Sequence, residues 1–266
     1  MGKYTLGVIG AGVMAEALVS GAERGNALPP KDKIIICDVN EDRRNLFASR
    51  GFCVTADPSL VASSSKYVLI AVKPQQSAEL LANLTFKASA IISIMAGVKI
   101  ATLKKYVPKG TAIFRIMPNL PATVGHATTA ITHDGGDASD VSFVKEFFSA
   151  SGNAIEIEES KFDAVTSISG SGPAYVFMFA DALIKAGING GLTEAEARAL
   201  TLDTIIGSAT LAKKSPMDLT ALTNSVCSKG GTTIQAVNVF NKDDLNGIVN
   251  RAVTACRKRS EELSNA

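Results

Sequence analysis

The sequence has no tryptophan, two histidines and four cysteines, and each shortage closes off a class of chemistry. Cys37, Cys53, Cys227 and Cys256 form no Cys-x-x-Cys pair and no metal-ligand spacing, so they read as reduced, mostly buried small hydrophobes and no metal site is expected. His126 and His133 flank a predicted strand without a metal or triad partner at a recognisable spacing. They read as structural or surface residues, which sets histidine catalysis aside. Charge is almost balanced, with 27 basic and 25 acidic side chains. The one basic run, Arg257-Lys258-Arg259, reads as a solvated helix end, so nucleic acid is not an expected partner. No apolar run is long enough to span a bilayer, and a strand starts after three residues, with no room for a signal peptide. The expectation is a soluble, cytoplasmic protein with no membrane contact.

What is present is organised around Thr5 to Ala15, where an apolar run breaks into Gly-x-Gly-x-x-Ala and then continues with helical periodicity. This spacing predicts strand, tight turn and helix. Gly10 permits the turn, Gly12 lets a pyrophosphate approach the backbone, and Ala15 lets the helix lie close on the sheet. Unpaired N–H groups where the helix starts, around Val13 and Met14, face an anion. A buried strand, Ile34 to Asp38, completes a βαβ unit. Asp38 stands where such units meet an adenosine ribose, and capping a turn is an equally good reading. Asn40 caps a predicted helix through Arg50, and its backbone, with Arg43 and Arg44, could hold a phosphate; surface charge is the plainer account of the arginines. Further strands are predicted at Cys53–Thr55, Tyr67–Val72, Ala90–Met95 and Ala112–Met117. Strand carboxyl ends line the ligand crevice of an open α/β sheet, which places Ala71, Val72, Lys73, Pro74 and Ala96 beside the cofactor.

Strand-like patterning ends at Ile157, and from Glu159 apolar residues recur at helical spacing. The domain boundary is therefore placed at 158/159, giving a dinucleotide-binding domain over 1–158 and a helical substrate and dimerisation domain over 159–266. Helices are predicted over Ala174–Ala186, from a Thr193-x-x-Glu196 capping box to Lys213, and from Ser215-Pro216 to Val226. The first two are apolar around much of their circumference, which predicts a homodimer or larger ring, with the active site between the first domain of one subunit and the second of a neighbour. The segment Ser228-Lys229-Gly230-Gly231-Thr232-Thr233 is rich in hydroxyls and opens a further helix, a composition that could form a nest for a carboxylate.

Several segments resemble the pyrroline-5-carboxylate reductases. They are Gly10-Ala-Gly-Val-Met-Ala15, Ala71-Val-Lys-Pro-Gln75, Ala96-Gly97, Arg115-Ile-Met-Pro-Asn119, Gly170-Ser-Gly-Pro-Ala-Tyr175 and Val226-Cys-Ser-Lys-Gly-Gly-Thr-Thr-Ile-Gln-Ala236. The resemblance runs along essentially the whole chain. It implies an α/β fold with an N-terminal Rossmann-type, doubly wound dinucleotide-binding domain and a C-terminal all-helical oligomerisation domain. It further implies NADPH or NADH as cofactor, 1-pyrroline-5-carboxylate as substrate and L-proline as product. Ser228, Gly231, Thr232 and Thr233 match the family's substrate loop, which includes Gly230, and Thr233 is the residue expected to hydrogen-bond the ring nitrogen. Lys229 departs from the family pattern, where many relatives have proline, and Asp38 is an acid where many NADPH-preferring relatives are neutral. A β-hydroxyacid dehydrogenase would need a lysine on the helix after the glycine-rich turn, whereas here no lysine follows Gly170 until Lys185.

Overall fold

A computed structural model describes residues 2–265. The β-branched runs become strands of an eight-stranded sheet in the order β3-β2-β1-β4-β5-β6-β7-β8. These are β1 Tyr4–Ile9, β2 Ile34–Cys37, β3 Cys53–Thr55, β4 Ser65–Ile70, β5 Ala90–Ser93, β6 Ala112–Met117, β7 Ala127–Asp134 and β8 Gly152–Glu156. The first six are mutually parallel; β7 pairs antiparallel with β6, and β8 parallel with β7. Strand order reverses between β1 and β4, the switch point at which a doubly wound sheet opens a crevice.

Ile34, Ile35 and Ile36 are all buried because both faces of the sheet are covered. Alternation sends Val8, Ile36, Leu69, Ile92 and Phe114 into one core, beneath α1 (Val13–Arg24) and α6 (Ala138–Ser149). Ile9, Ile35, Ile70, Ile91 and Ile113 enter the other, with α3 (Pro58–Ser64), α4 (Ser77–Ala82) and α5 (Ile100–Leu103). The remaining helix in this stretch, α2 (Glu41–Ser49), begins at Asn40, whose side chain accepts the Asp42 and Arg43 N–H groups.

After β8 the described residues contain no further strand. Helix α7 (Phe162–Val165) leads through a π-helical turn, Thr166–Gly170, into α8 (Gly172–Asn189). Next come α9 (Glu194–Lys214), α10 (Leu219–Ser225), α11 (Thr232–Lys242) and α12 (Leu245–Asn265). The Thr193 capping box forms as its spacing predicts. Two helix starts differ from the sequence reading. Helix α8 begins at Gly172, ahead of Ala174, because proline is tolerated in a first turn. Helix α10 begins at Leu219: Ser215 stays extended as the C-cap of α9, and the Asp218 carboxylate accepts the Ala221 N–H at 2.7 Å.

Contacts group the chain up to Ser171 with the residues from Cys256 onward, and Gly172–Ala255 as a second unit. Within that second unit Phe177, Met178, Leu200 and Ile206 are each more than half exposed. So much uncovered apolar surface on packed helices marks an association face.

Candidate active site

The crevice at the strand switch holds a cleft of about 340 Å³, walled by Gly10, Gly12, Asp38, Val39, Ala71, Val72 and Lys73 and closed by Pro58, Gln76 and Leu80. Gly10 has φ +95°, a conformation that favours glycine, and a Cβ there would lie 2.7 Å from the Ala71 carbonyl oxygen. Gly12 has nothing within 4 Å of the corresponding position. One glycine therefore makes the turn and the other leaves room above it. Ala15 is fully buried on the sheet-facing side of α1, Val13 is exposed, and Asn40 caps α2; these three do not line the cleft. Asp38 lines the cleft and caps the turn after β2, accepting the Asn40 N–H at 2.8 Å. Its second oxygen accepts the Ala11 N–H at 2.7 Å and so ties the glycine turn to β2.

A second cleft of about 400 Å³ shares Ala71, Val72 and Lys73 and continues along Met14, Pro74, Ala96, Met117, Pro118, Asn119 and Gly170. Three strand ends, after β4, β5 and β6, thus supply one continuous rim. The Asn119 side chain fixes that rim, donating to the Ser169 carbonyl at 3.1 Å and accepting the Thr128 N–H at 2.9 Å. Buried Arg115, just before it, pairs with Glu159 at 3.0 Å and lies over the Phe162 ring at 4.7 Å. Gly170 is the last residue of the π turn, a distortion frequent at functional sites. Val39, Pro58, Gln76 and Leu80 carried no local signal for a site, and Gly170 was marked only by the Gly170–Tyr175 motif.

Cys37 also lines the first cleft, and burial, followed by the nearby Asp38 and Asp57 carboxylates, pushes its thiol up to about 11. Below that pH it is a neutral, poor nucleophile. Folded protein at pH 8 is expected to leave Cys37 unalkylated by iodoacetamide, whereas denatured protein reacts there; peptide mass spectrometry reads the difference. Because the unfolded thiol ionises near pH 8.5, this group's contribution, up to about 2–3 kcal/mol, is present below that pH and lost as pH rises towards 11.

In the second unit, Ser228 to Gly231 form a turn closed by the Gly231 N–H donating to the Ser228 carbonyl at 3.0 Å. Gly230 adopts φ +76°, the requirement of a type II turn at its third residue. Ser228, Gly230 and Thr232 are exposed and Thr233 is half-buried at the start of α11. Helices α2, α3, α6, α9 and α10 are capped by their own Asn, Asp or Thr side chains. By contrast, α1 and α11 start after Gly12 and Gly231, with no side-chain cap among the described residues. Their first N–H groups are therefore open to an external anion.

A glycine turn at the switch point of a doubly wound sheet, followed by a helical unit, is the architecture of the Rossmann dinucleotide-binding class. Residues 5–97 match the family described as NADP oxidoreductase coenzyme F420-dependent, and residues 159–263 match pyrroline-5-carboxylate reductase dimerisation. The chain is 40% identical over 262 residues to the pyrroline-5-carboxylate reductase of Synechocystis, covering 97% of each. It is 36% identical over 259 residues to that of Aquifex aeolicus, again covering 97% of each. Its fold superposes with a TM-score of 0.89 on the Plasmodium falciparum pyrroline carboxylate reductase with NADP bound, at 28% identity and 99% coverage of both chains. The chain belongs to the pyrroline-5-carboxylate reductase family.

Proposed function

We propose that this protein reduces the C=N bond of 1-pyrroline-5-carboxylate to give L-proline, with NADPH or NADH as the reductant. The observation that carries this reading is the pair of glycine-opened, uncapped helix starts, one at the dinucleotide turn and one in the hydroxyl-rich loop, in a chain of this family. Gly10, Gly12 and the N–H groups of Val13, Met14 and Ala15 hold the pyrophosphate. Asp38 and Asn40 meet the ribose, while Ala71, Val72, Lys73, Pro74 and Ala96 form the rim beside the nicotinamide. NAD(P)H supplies a hydride when bound. Ser228, Gly230, Gly231 and the Thr232 and Thr233 backbone hold the substrate carboxylate, and the Thr233 hydroxyl positions the ring nitrogen.

A protonated cyclic imine is already an electrophile. Hydride addition to its carbon leaves the π electron pair on nitrogen, which retains its proton, so this chain needs no strong general acid. That agrees with a pair of clefts and a loop in which positioning groups predominate. The carboxylate is then the handle, and the decarboxylated ring, 1-pyrroline, tests it: kcat/KM is expected to fall by about a hundredfold or more, for loss of a charged hydrogen-bonding group. Equal efficiency on both imines would show that Ser228–Thr233 is not a carboxylate site.

The division at 158/159, with cofactor binding before it and substrate binding and dimerisation after it, is part of the same proposal, as is cytoplasmic residence. The assembly is a homodimer or ring of dimers that buries the exposed apolar residues of α8 and α9. Sedimentation at working concentration is expected to show no active monomer. If the cleft of one subunit serves the loop of a neighbour, mixing a cleft-defective variant with a loop-defective variant restores up to about a quarter of native activity, the share of sites that draw both parts from intact donors. No recovery on subunit exchange would place cleft and loop of each site in the same chain.

A further inference from the structure

Four charged side chains, Glu16, Asp38, Arg43 and Arg44, hold together the turns that follow β1 and β2, and these four sum to zero; Glu41 and Asp42 stand beside them in the first turn of α2. Asp38 accepts the N–H groups of Ala11 and Asn40. Arg43 reaches back to the glycine turn, where its Nε donates to the Ala11 carbonyl at 2.6 Å and its Nη2 to the Glu16 carboxylate at 2.6 Å. The Ala11 peptide is thus held at its N–H by Asp38 and at its C=O by Arg43. Arg44 Nη1 donates to the carbonyls of Asp38 and Val39, at 2.8 and 2.9 Å. Glu16 lies in the first turn of α1, where an acid suits the helix dipole but opposes a bound phosphate. Its side chain and that of Arg43 are 34% and 26% exposed, which leaves the pair partly shielded from solvent.

We propose that Glu16 is the positioning residue that sets cofactor preference, acting through Arg43. This rests on the reductase reading above. A 2′-phosphate adds about two negative charges beside Asp38, so it needs a cation nearby with a donor to spare. While Glu16 holds Nη2, Arg43 is compensated and spent on the glycine turn, and the site accommodates the uncharged ribose of NADH. Without the Glu16 charge the site gains one unit of positive charge and Nη2 is released to the 2′-phosphate. Weakening of pyrophosphate binding by Glu16 applies to both cofactors and cancels in their ratio.

The test is the ratio of kcat/KM with NADPH to that with NADH, together with the ratio of NADP+ to NAD+ dissociation constants, in the wild type, Glu16→Gln, Arg43→Gln and the double variant. Glu16→Gln is expected to shift both ratios about tenfold toward the phosphorylated cofactor, an effect that shrinks at high salt. In the Arg43→Gln background the same substitution is expected to change them by less than about twofold, since the coupling partner is gone. An equal shift with and without Arg43, or no shift from Glu16→Gln, overturns the proposal. Failure of the reductase reading would look different: the wild type would form no proline with either cofactor, while the dissociation-constant ratios would still report on Glu16.

Discussion

Gly12→Ala is expected to fold normally and to lose at least about a hundredfold in affinity for NADPH and NADH alike, because a methyl group then occupies the approach of the pyrophosphate. The backbone at Gly12 is extended, at φ −69° and ψ −178°, and its Cβ position is open, so alanine meets no strain there. Alanine is a poorer N-cap than glycine but lowers the entropy of the unfolded chain, and these opposed effects keep the net change within about 1 kcal/mol. Gly10→Ala should show the reverse pattern. At φ +95°, with its Cβ set against the Ala71 carbonyl, it is expected to cost about 2–4 kcal/mol of stability before any cofactor is added. Urea melts and fluorescence titration with each cofactor separate the two effects. Undiminished cofactor affinity in a folded Gly12→Ala protein would move the pyrophosphate elsewhere.

Gly231→Ala and Thr233→Ala are expected to damage catalysis in different ways while cofactor affinity stays intact. A Cβ at Gly231 collides with the Ser228 hydroxyl, a flexible atom that can swing aside. The fold therefore survives, but a proposed carboxylate ligand is displaced, and the Michaelis constant for the imine should rise at least about tenfold. Thr233→Ala removes one hydrogen bond to the ring nitrogen, which carries the positive charge of the protonated imine. That should cost about 1.5–3 kcal/mol of transition-state stabilisation, or roughly ten- to a hundredfold in kcat/KM. Complete loss of activity would instead make Thr233 an obligate acid, a role its weakly acidic hydroxyl fits poorly. Near wild-type efficiency in both variants would place the substrate site away from this loop.

The sheet was legible in the sequence because its signals are local. Three consecutive β-branched isoleucines bounded by turn residues favour a strand covered on both sides, and Gly-x-Gly-x-x-Ala after an apolar run fixes where that sheet turns into α1. The rims were partly legible for the same reason, since Lys73-Pro74, Ala96-Gly97 and Pro118-Asn119 each end a strand. What they enclose was not, because Pro58, Gln76 and Leu80 reach the first cleft only through the packing of α3 and α4 against the sheet. The π turn at Thr166–Gly170 has no composition of its own, and the Ser215 and Asp218 cap signals compete within four residues. Arg43 shows the gap most plainly. Its sequence position suggested a surface charge or a phosphate ligand, and its partner Glu16, 27 residues earlier on another helix, emerged only from the fold.

The central claim is hydride addition to a ring imine bearing a carboxylate, and transfer of deuterium from 4-deuterated NADPH or NADH tests it most directly. Incubation with 1-pyrroline-5-carboxylate is predicted to give L-proline with one deuterium, located by mass spectrometry and NMR on the ring carbon that was double-bonded to nitrogen, with one cofactor oxidised per proline formed. Cofactor oxidation without labelled proline, or no turnover with either cofactor, would contradict the account.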